Sequence, residues 1–179
     1  MRTLISAALL ATIAAAHAAE PVPSAYAGQE ARTIKALSAE DIEALRTGQG
    51  MGYAKAAELN GYPGPAHVLA LAEQLRLTPE QLSQTRAIEA SMRTKAKTIG
   101  AELIDAEAQL DNLFASKQID ARALDASLQH IAELQSQLRR AHLQAHLEQT
   151  SLLSAAQTAR YSELRGYGQV QNHTMHEPH

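Results

Sequence analysis

The feature that most constrains this chain is a long stretch almost free of helix-breaking residues. Between Pro79 and Gly166 there is no proline, and Gly100 is the one glycine. Because proline and glycine are the residues that most often interrupt helices, this stretch favours long helices. Apolar residues recur in it at heptad spacing, as expected for amphipathic helices that pack along one face. The heptad positions are Met92, Ile99, Ala106 and Leu113; Leu82, Glu89, Ala96, Leu103 and Leu110; Leu124, Ile131, Leu138 and Ala145; and Leu128, Gln135 and His142.

Capping signals divide this stretch into two long helices. Thr78 and Gln81 form a capping box, which predicts a first helix over residues 79–116. Residues 119–120 supply a turn and a second cap, which predicts a second helix over 121–149. Two long helices joined by a few residues fold back as an antiparallel hairpin, so facing positions add to about 236. The predicted fold class is all-α, with a long antiparallel helical hairpin.

Shorter helices are expected on both sides of the hairpin. Caps and breakers predict helices over about 38–48, 51–60 and 65–76 before the hairpin, and a final short helix over 154–166 after it. The predicted organisation is a signal peptide at 1–18, a flexible leader at 19–37, short N-terminal helices at 38–76, the hairpin domain at 77–166, and a His-rich disordered tail at 167–179.

The first 18 residues have the pattern of a secretory signal peptide. Arg2 supplies the positive charge, residues 4–16 are apolar, and residues 16–18 give a small-x-small cleavage site after Ala18. The apolar run is too short to span a bilayer comfortably, although a retained N-terminal anchor is the alternative. The sequence therefore predicts an exported protein, which in a Gram-negative bacterium would be periplasmic.

Composition excludes several classes of function. The chain has no Cys, which excludes disulfides, Cys-ligated zinc, iron–sulfur clusters and thiol nucleophiles. No glycine-rich phosphate loop or nucleophile elbow is present, so no catalytic activity is expected. The net charge of −3 gives no reason to expect nucleic-acid binding.

Two related motifs flank the predicted hairpin. Leu77-Thr78-Pro-Glu-Gln81 precedes it, and Leu153-Ser154-Ala-Ala-Gln157 follows it. In this respect the chain resembles the Spy/CpxP-like periplasmic family with paired LTxxQ motifs, although Ser154 replaces Thr in the second motif. The resemblance covers about residues 65–166. It implies a hairpin that dimerises into a curved cradle, a stress or metal-response role outside the cytoplasm, and no catalysis.

The resemblance points to one branch of that family. The stretch from His142 to Leu153 looks like the heavy-metal-resistance and metal-sensor branch (ZraP/CnrX-like), in which a His on this helix is followed four residues later by His or Met. The resemblance therefore implies that the chain binds metal, as a sensor or a buffer, and forms a homodimer. Two further partners stay open as alternatives, namely unfolded exported proteins and, as in the sensor branch, a membrane-bound signalling protein, for which the sequence has no identifiable docking motif.

The residues themselves also indicate a metal site on the second long helix. His142 and His146 have i, i+4 spacing, so their imidazoles share one helical face and can chelate Zn²⁺, Ni²⁺, Co²⁺ or Cu²⁺. The antiparallel register places them near residues 94 and 90. Glu89 on the inward stripe is the expected third ligand, because a carboxylate there needs a partner. Met92 and His67 are weaker candidates. The alternatives without metal are a hydrogen-bonded Glu–His pair and a partly exposed His pair with no role.

The C-terminal tail offers a second candidate metal site. His173, Met175, His176 and His179 lie within seven residues and provide borderline and soft donors. A solvated tail without a metal is the alternative. His130 is isolated and is interpreted as an ordinary helical side chain.

A basic band suggests a different function. Arg93, Lys95 and Lys97 lie on the first long helix, and Arg139 and Arg140 lie opposite them on the second. Such a band beside apolar grooves could hold unfolded exported proteins through loose contacts, as in an ATP-independent chaperone. A solvated face joined by salt bridges is the alternative.

Overall fold

Helices and turns, with no strands, make up the part of the chain that this computed structural model describes, residues 24–167. The all-α fold class is therefore confirmed. The predicted signal peptide and the His-rich tail beyond Tyr167 lie outside the described residues. The helices are α1, Ala39–Thr47; α2, Lys55–Glu58; α3, Pro65–Ala70; α4, Pro79–Ala115; α5, Ala121–Leu152; and α6, Ala155–Leu164.

The chain divides into an N-terminal unit that ends at Glu30 and a second unit from Ala31 onward. In the first unit, hydrogen-bonded turns join Ala27 to Ser24 and Gln29 to Tyr26. The six α-helices found within residues 24–167 belong to the second unit. No helix within residues 24–167 combines the length and the apolar character that a bilayer span needs.

Helices α4 and α5 form the predicted hairpin, with ends close to those expected from the caps. Thr78 accepts the Gln81 N–H, and the Gln81 side chain accepts the Thr78 N–H in return. Asp120 caps α5 by accepting the Ala123 N–H at 2.7 Å. Deep in the hairpin, Gln149 donates to Thr85 at 3.2 Å, a pairing that fits the predicted register within two residues.

Helix α1 lies across α4 at the position of the lone glycine. A Cβ atom on Gly100 would lie only 2.5 Å from the carbonyl oxygen of Leu45, so this close crossing requires glycine. The contact places Leu45 in the main core. The other buried members of that core are Ile34, Ala96, Leu103, Ile104, Ala106, Ile131, Leu134 and Leu138.

Three predictions for the N-terminal half need correction. The helix expected over 51–60 contains only α2, because Met51 and Gly52 adopt positive φ angles of 43° and 79° that an α-helix excludes. The helix expected over 65–76 ends at Ala70 and continues as turns, and Leu75 from these turns is buried in a second apolar cluster. Residues 31–37, expected to be leader, contribute the buried Ile34 to the core.

The two LTxxQ-like motifs meet in space and form a reciprocal clasp. The Gln81 side-chain amide donates to the Leu152 carbonyl at 3.0 Å, and the Gln157 amide donates to the Leu75 carbonyl at 3.2 Å. The two side-chain amides also bond to each other at 2.9 Å. Each glutamine thus caps its own helix and holds the chain segment before the other motif. The repeat seen in the sequence is therefore a tertiary contact as well as a pair of caps.

Candidate metal centre

The C-terminal half of α5 faces a pocket built by the loop between α1 and α2, by α2, by the start of α3 and by α4. The pocket has a volume of about 440 Å³, and it opens to solvent beside Lys55, Ala66 and Arg93. The pocket residues that matter for binding an ion come from four segments of the chain. They are Glu58 from α2, Gly64 and His67 from the start of α3, Met92 from α4, and His142 and His146 from α5.

His146 is held in one orientation by the loop before α3. Its Nδ1 atom lies 2.8 Å from the carbonyl oxygen of Tyr62. A carbonyl only accepts, so Nδ1 carries the proton and donates, which leaves a lone pair on Nε2. A metal-binding histidine commonly has its other nitrogen held in this way.

His142 lies one turn earlier and is 4% exposed. Its ring stacks on Tyr53 with 5.9 Å between ring centroids. The Nε2 atom is buried and has no hydrogen-bond partner among the described residues. Burial, with a smaller contribution from His146, lowers the pKa of His142, so the ring is neutral at neutral pH. A neutral, buried and unpartnered imidazole nitrogen is suited to bind a metal.

The two carboxylate oxygens of Glu58 have different surroundings. Oε1 accepts hydrogen bonds from the hydroxyls of Tyr161 at 2.5 Å and Tyr167 at 2.9 Å. Oε2 is buried without a hydrogen-bond partner among the described residues and lies 3.7 Å from His146 Nδ1. Leaving a buried carboxylate oxygen unpaired costs free energy, so Oε2 is a position where a ligand would be stabilising.

The ionisation of Glu58 follows from these contacts. Burial by itself raises the pKa of Glu58, but the hydrogen bonds from Tyr161 and Tyr167, together with His67 and His146, outweigh it and lower the pKa overall. The same carboxylate raises the pKa of Tyr161, for which burial is the larger cause. Glu58 is therefore an anion at neutral pH, as a metal-binding carboxylate must be.

Because Gly64 has no side chain, a small open space lies between the His146 ring and the Glu58 carboxylate. This space is called the Gly64 cradle below. A Cβ atom at this position would lie 2.9 Å from His146 Nε2 and 3.4 Å from Glu58 Oε2. The absence of a side chain thus leaves space beside both donors. Gly64 has an ordinary φ of −85°, so the packing, rather than the backbone conformation, is what calls for glycine.

Two further side chains stand at the edge of the Glu58 carboxylate. His67 Nδ1 is 3.4 Å from Oε1, and the His67 side chain is 48% exposed at the rim. Arg165, which follows α6, also places its Nε 3.4 Å from Oε1.

The side chains that line the pocket suit a divalent ion by the chemistry of their ligand atoms: two imidazoles and one carboxylate, with an accessible thioether from Met92. Within residues 24–167, no three His, Asp or Glu side chains are already grouped around one point.

The structure separates the candidate ligands proposed from the sequence. His142, His146, His67 and Met92 line one pocket, whereas Glu89 accepts a hydrogen bond from Arg93 at 2.8 Å and is absent from the pocket lining. His173, Met175, His176 and His179 lie outside the described residues.

The basic side chains proposed to bind clients are exposed. They are Arg93, Lys97, Arg139 and Arg140. Of these, Arg93 forms an ion pair with Glu89.

Sequence reasoning missed Glu58. It lies on a four-residue helix with no periodic pattern, and only the turn through Gly61 to Pro65 brings it to α5. Tyr53, Tyr161, Tyr167 and Arg165 were also missed, because aromatic and cationic side chains far apart in sequence carry no spacing signal. The run of helix-breaking residues from Gly61 to Pro65 was the one available hint that the chain turns back at this point.

Comparison with known families identifies the family of this chain. A family model described as heavy-metal resistance matches residues 50–160, more than half of the chain. The chain belongs to the heavy-metal resistance family. Heavy-metal resistance proteins have the Spy/CpxP-like fold, so this part of the resemblance is confirmed. The match includes Glu58, His142 and His146. No curated protein and no solved structure is significantly similar to the chain.

Proposed function

We propose that this heavy-metal resistance protein binds a divalent transition ion through His142, His146 and Glu58. One observation carries the proposal: the pocket contains two buried potential metal-ligand atoms, His142 Nε2 and Glu58 Oε2, that have no hydrogen-bond partner within residues 24–167. Buried polar atoms are normally paired, so two unpaired ones in the same pocket point to a ligand with positive charge. Gly64 supports this assignment, because it leaves space beside His146 Nε2 and Glu58 Oε2.

The donor set restricts the ion and the role. Two imidazoles and a carboxylate suit Zn²⁺, Ni²⁺, Co²⁺ or Cu²⁺, with Met92 and His67 as additional donors at the pocket wall. The protein acts without catalysis, as a sensor or a buffer of the ZraP/CnrX-like branch. It is exported to the periplasm, forms a homodimer, and passes its signal to a membrane-bound partner if it is a sensor.

Calorimetric titration of the full chain with Zn²⁺ tests this function. The wild type is expected to bind with micromolar or tighter affinity, and the double variant His142→Ala/His146→Ala is expected to lose this binding. His130→Ala is the matched control, because His130 is exposed on the same helix and lies outside the pocket. An isotherm of the double variant that equals the wild-type isotherm would reject the proposed site.

A groove on the hairpin supports a second candidate function, that of an ATP-independent chaperone. It lies between α4 and α5, has a volume of about 260 Å³, and combines apolar Ile88 and Ile99 with Lys95 and Arg140. An apolar floor beside cationic side chains suits unfolded chains held by loose contacts. Light scattering of an unfolded client checks this candidate. Equimolar protein without ATP should delay aggregation, and Lys95→Glu/Arg140→Glu should remove the delay, whereas an unchanged aggregation rate with the wild type argues against it.

A further inference from the structure

Both methionines found within residues 24–167 line the candidate metal pocket. Met51 lies on the loop between α1 and α2 and is 42% exposed, whereas Met92 lies on α4 and is half-buried. The sulfur of a methionine side chain is a soft, polarisable ligand, and soft ligands select Cu⁺ over the harder divalent ions. The pocket therefore offers two thioethers in addition to its imidazoles and its carboxylate.

Met51 occupies a backbone position that does not favour methionine. Its φ of 43° is left-handed, and Gly52 follows with a φ of 79°. The Tyr53 N–H donates to the Gly50 carbonyl at 2.7 Å and so closes a turn with these two residues at its centre. Turns of this kind usually have Gly, Asn or Asp at both central positions. A strained residue that lines a candidate site points to a role for its side chain.

The same turn is anchored to one of the candidate ligands. The Tyr53 ring stacks on the His142 ring with 5.9 Å between ring centroids and 8° between their planes. Met51 comes two residues before Tyr53, so this stacking attaches the turn that carries Met51 to the helix that carries the unpartnered Nε2 atom of His142. Met92 lines the same pocket from α4, so the two thioethers come from different elements.

We propose that the pocket also binds Cu⁺, through the thioethers of Met51 and Met92. The imidazoles of His142 and His146 complete the ligand set. This inference rests on the proposed function, because it uses the same pocket and the same two histidines. A divalent ion relies on the imidazoles and the Glu58 carboxylate, whereas Cu⁺ relies on the imidazoles and the two thioethers.

Titration of the full chain with Ag⁺ and with Zn²⁺ tests the inference, because Ag⁺ is soft like Cu⁺ and is stable in air. The variant Met51→Leu/Met92→Leu should lose at least about tenfold in Ag⁺ affinity and less in Zn²⁺ affinity, since leucine keeps the size of the side chain but lacks the sulfur. Leu110→Ile is the matched control, because Leu110 lies on α4 outside the pocket, and it should bind both ions like the wild type. Unchanged Ag⁺ affinity in the double variant, or equal losses for the two ions, would overturn the inference.

X-ray absorption at the copper edge identifies the ligands themselves. The full chain is loaded with Cu⁺ under reducing, oxygen-free conditions. The wild-type spectrum should show sulfur ligands, and Met51→Leu/Met92→Leu should lose them. A wild-type spectrum with nitrogen and oxygen ligands alone would overturn the inference.

Two further results separate this inference from the proposed function. Met175→Leu removes the one methionine of residues 168–179. A larger loss of Ag⁺ affinity in this variant than in Met51→Leu/Met92→Leu would overturn the inference and leave the Zn²⁺ site intact. Wild-type Zn²⁺ binding by His142→Ala/His146→Ala would instead reject the pocket site itself, whatever the methionine variants do.

Discussion

At the scale of single residues, Glu58 connects the hydroxyls of Tyr161 and Tyr167 to the pocket. Oε1 is fully engaged by two tyrosine hydroxyls, whereas Oε2 is buried and has no hydrogen-bond partner among the described residues. The tyrosines orient the carboxylate, as groups behind a metal ligand commonly do. Removing the charge while keeping the shape of Glu58 should therefore affect metal binding more than folding.

The pair of variants Glu58→Gln and Glu89→Gln distinguishes the two candidate carboxylates. Glu58→Gln should weaken Zn²⁺ binding about tenfold or more, because the ion loses an anionic ligand. Glu89→Gln should change it little, because Glu89 bonds to Arg93 outside the pocket. Both affinities come from calorimetry on the full chain. A larger loss in Glu89→Gln than in Glu58→Gln would support the ligand set proposed from the sequence in place of this one.

Gly64→Ala tests the cradle directly. The added Cβ would lie under 3 Å from the His146 ring, so His146 must shift and the space beside Glu58 Oε2 is reduced. We expect Zn²⁺ affinity to fall about tenfold or more, since misplaced ligands bind metal poorly. Gly50→Ala is the control, because a Cβ there meets no atom within 4 Å. Equal affinities of the two variants would show that the cradle does not serve metal binding.

Helical spacing identified the histidines but not their partners. His142 and His146 share a face because an α-helix has a fixed period, and the structure places both in one pocket. Glu89 was chosen because it interrupts an apolar stripe. In the structure its charge is satisfied locally by Arg93, one turn along the same helix. A local ion pair of this kind was available from spacing alone and explains the position without a metal.

At the scale of elements, the clasp between Gln81 and Gln157 explains why both motifs contain glutamine. A carboxylate at either position would still cap its own helix, but it would lack the N–H groups that reach Leu152 and Leu75. The side-chain amide is thus required by the tertiary contact and not by the cap.

Gln81→Glu should therefore destabilise the protein although it keeps the capping box. The new carboxylate would face the Gln157 oxygen and the Leu152 carbonyl without a hydrogen to donate. We expect the free energy of unfolding to fall by about 1–3 kcal/mol, measured by chemical denaturation. Gln135→Glu on exposed α5 surface should change it by less than about 0.5 kcal/mol. Equal stability of Gln81→Glu and the wild type would contradict the clasp.

The starts of helices agree with the sequence prediction where a strong capping motif is present. The buried face of a helix differs from the prediction where tertiary packing determines it. α4 and α5 begin at their predicted caps. The heptad pattern on α5 placed Ile131 and Leu138 in the core, where they are found, but it also placed Leu128 there, which is 49% exposed. Leu134 is buried instead, so α5 buries Ile131, Leu134 and Leu138 at positions three and four apart in place of a strict heptad stripe.

At the scale of the whole molecule, stability should depend on pH through the buried centre. His142 has a lowered pKa, so below about pH 6.5 the unfolded chain takes up a proton that the folded chain resists. The free energy of unfolding of the metal-free protein should therefore fall between pH 7 and pH 5, by at most about 1.4 kcal/mol per pH unit for this group. Glu58 adds a second loss as pH falls through its lowered pKa, below 4.5.

Chemical denaturation in the presence of a chelator measures this dependence. His142→Gln has no titrating ring, so its stability should change less steeply between pH 7 and pH 5 than that of the wild type. The comparison uses slopes, because the variant also loses the stacking on Tyr53 and is expected to be less stable at every pH. Parallel slopes would mean that His142 is not protonated differently in the folded and unfolded states.

The most direct test of the central claim is a crystal structure of the full chain with Zn²⁺, with anomalous scattering measured at the zinc absorption edge. The account predicts one ion in the pocket, about 2.0–2.2 Å from His142 Nε2, His146 Nε2 and Glu58 Oε2. A zinc-bound protein whose anomalous peaks all lie outside this pocket would contradict it.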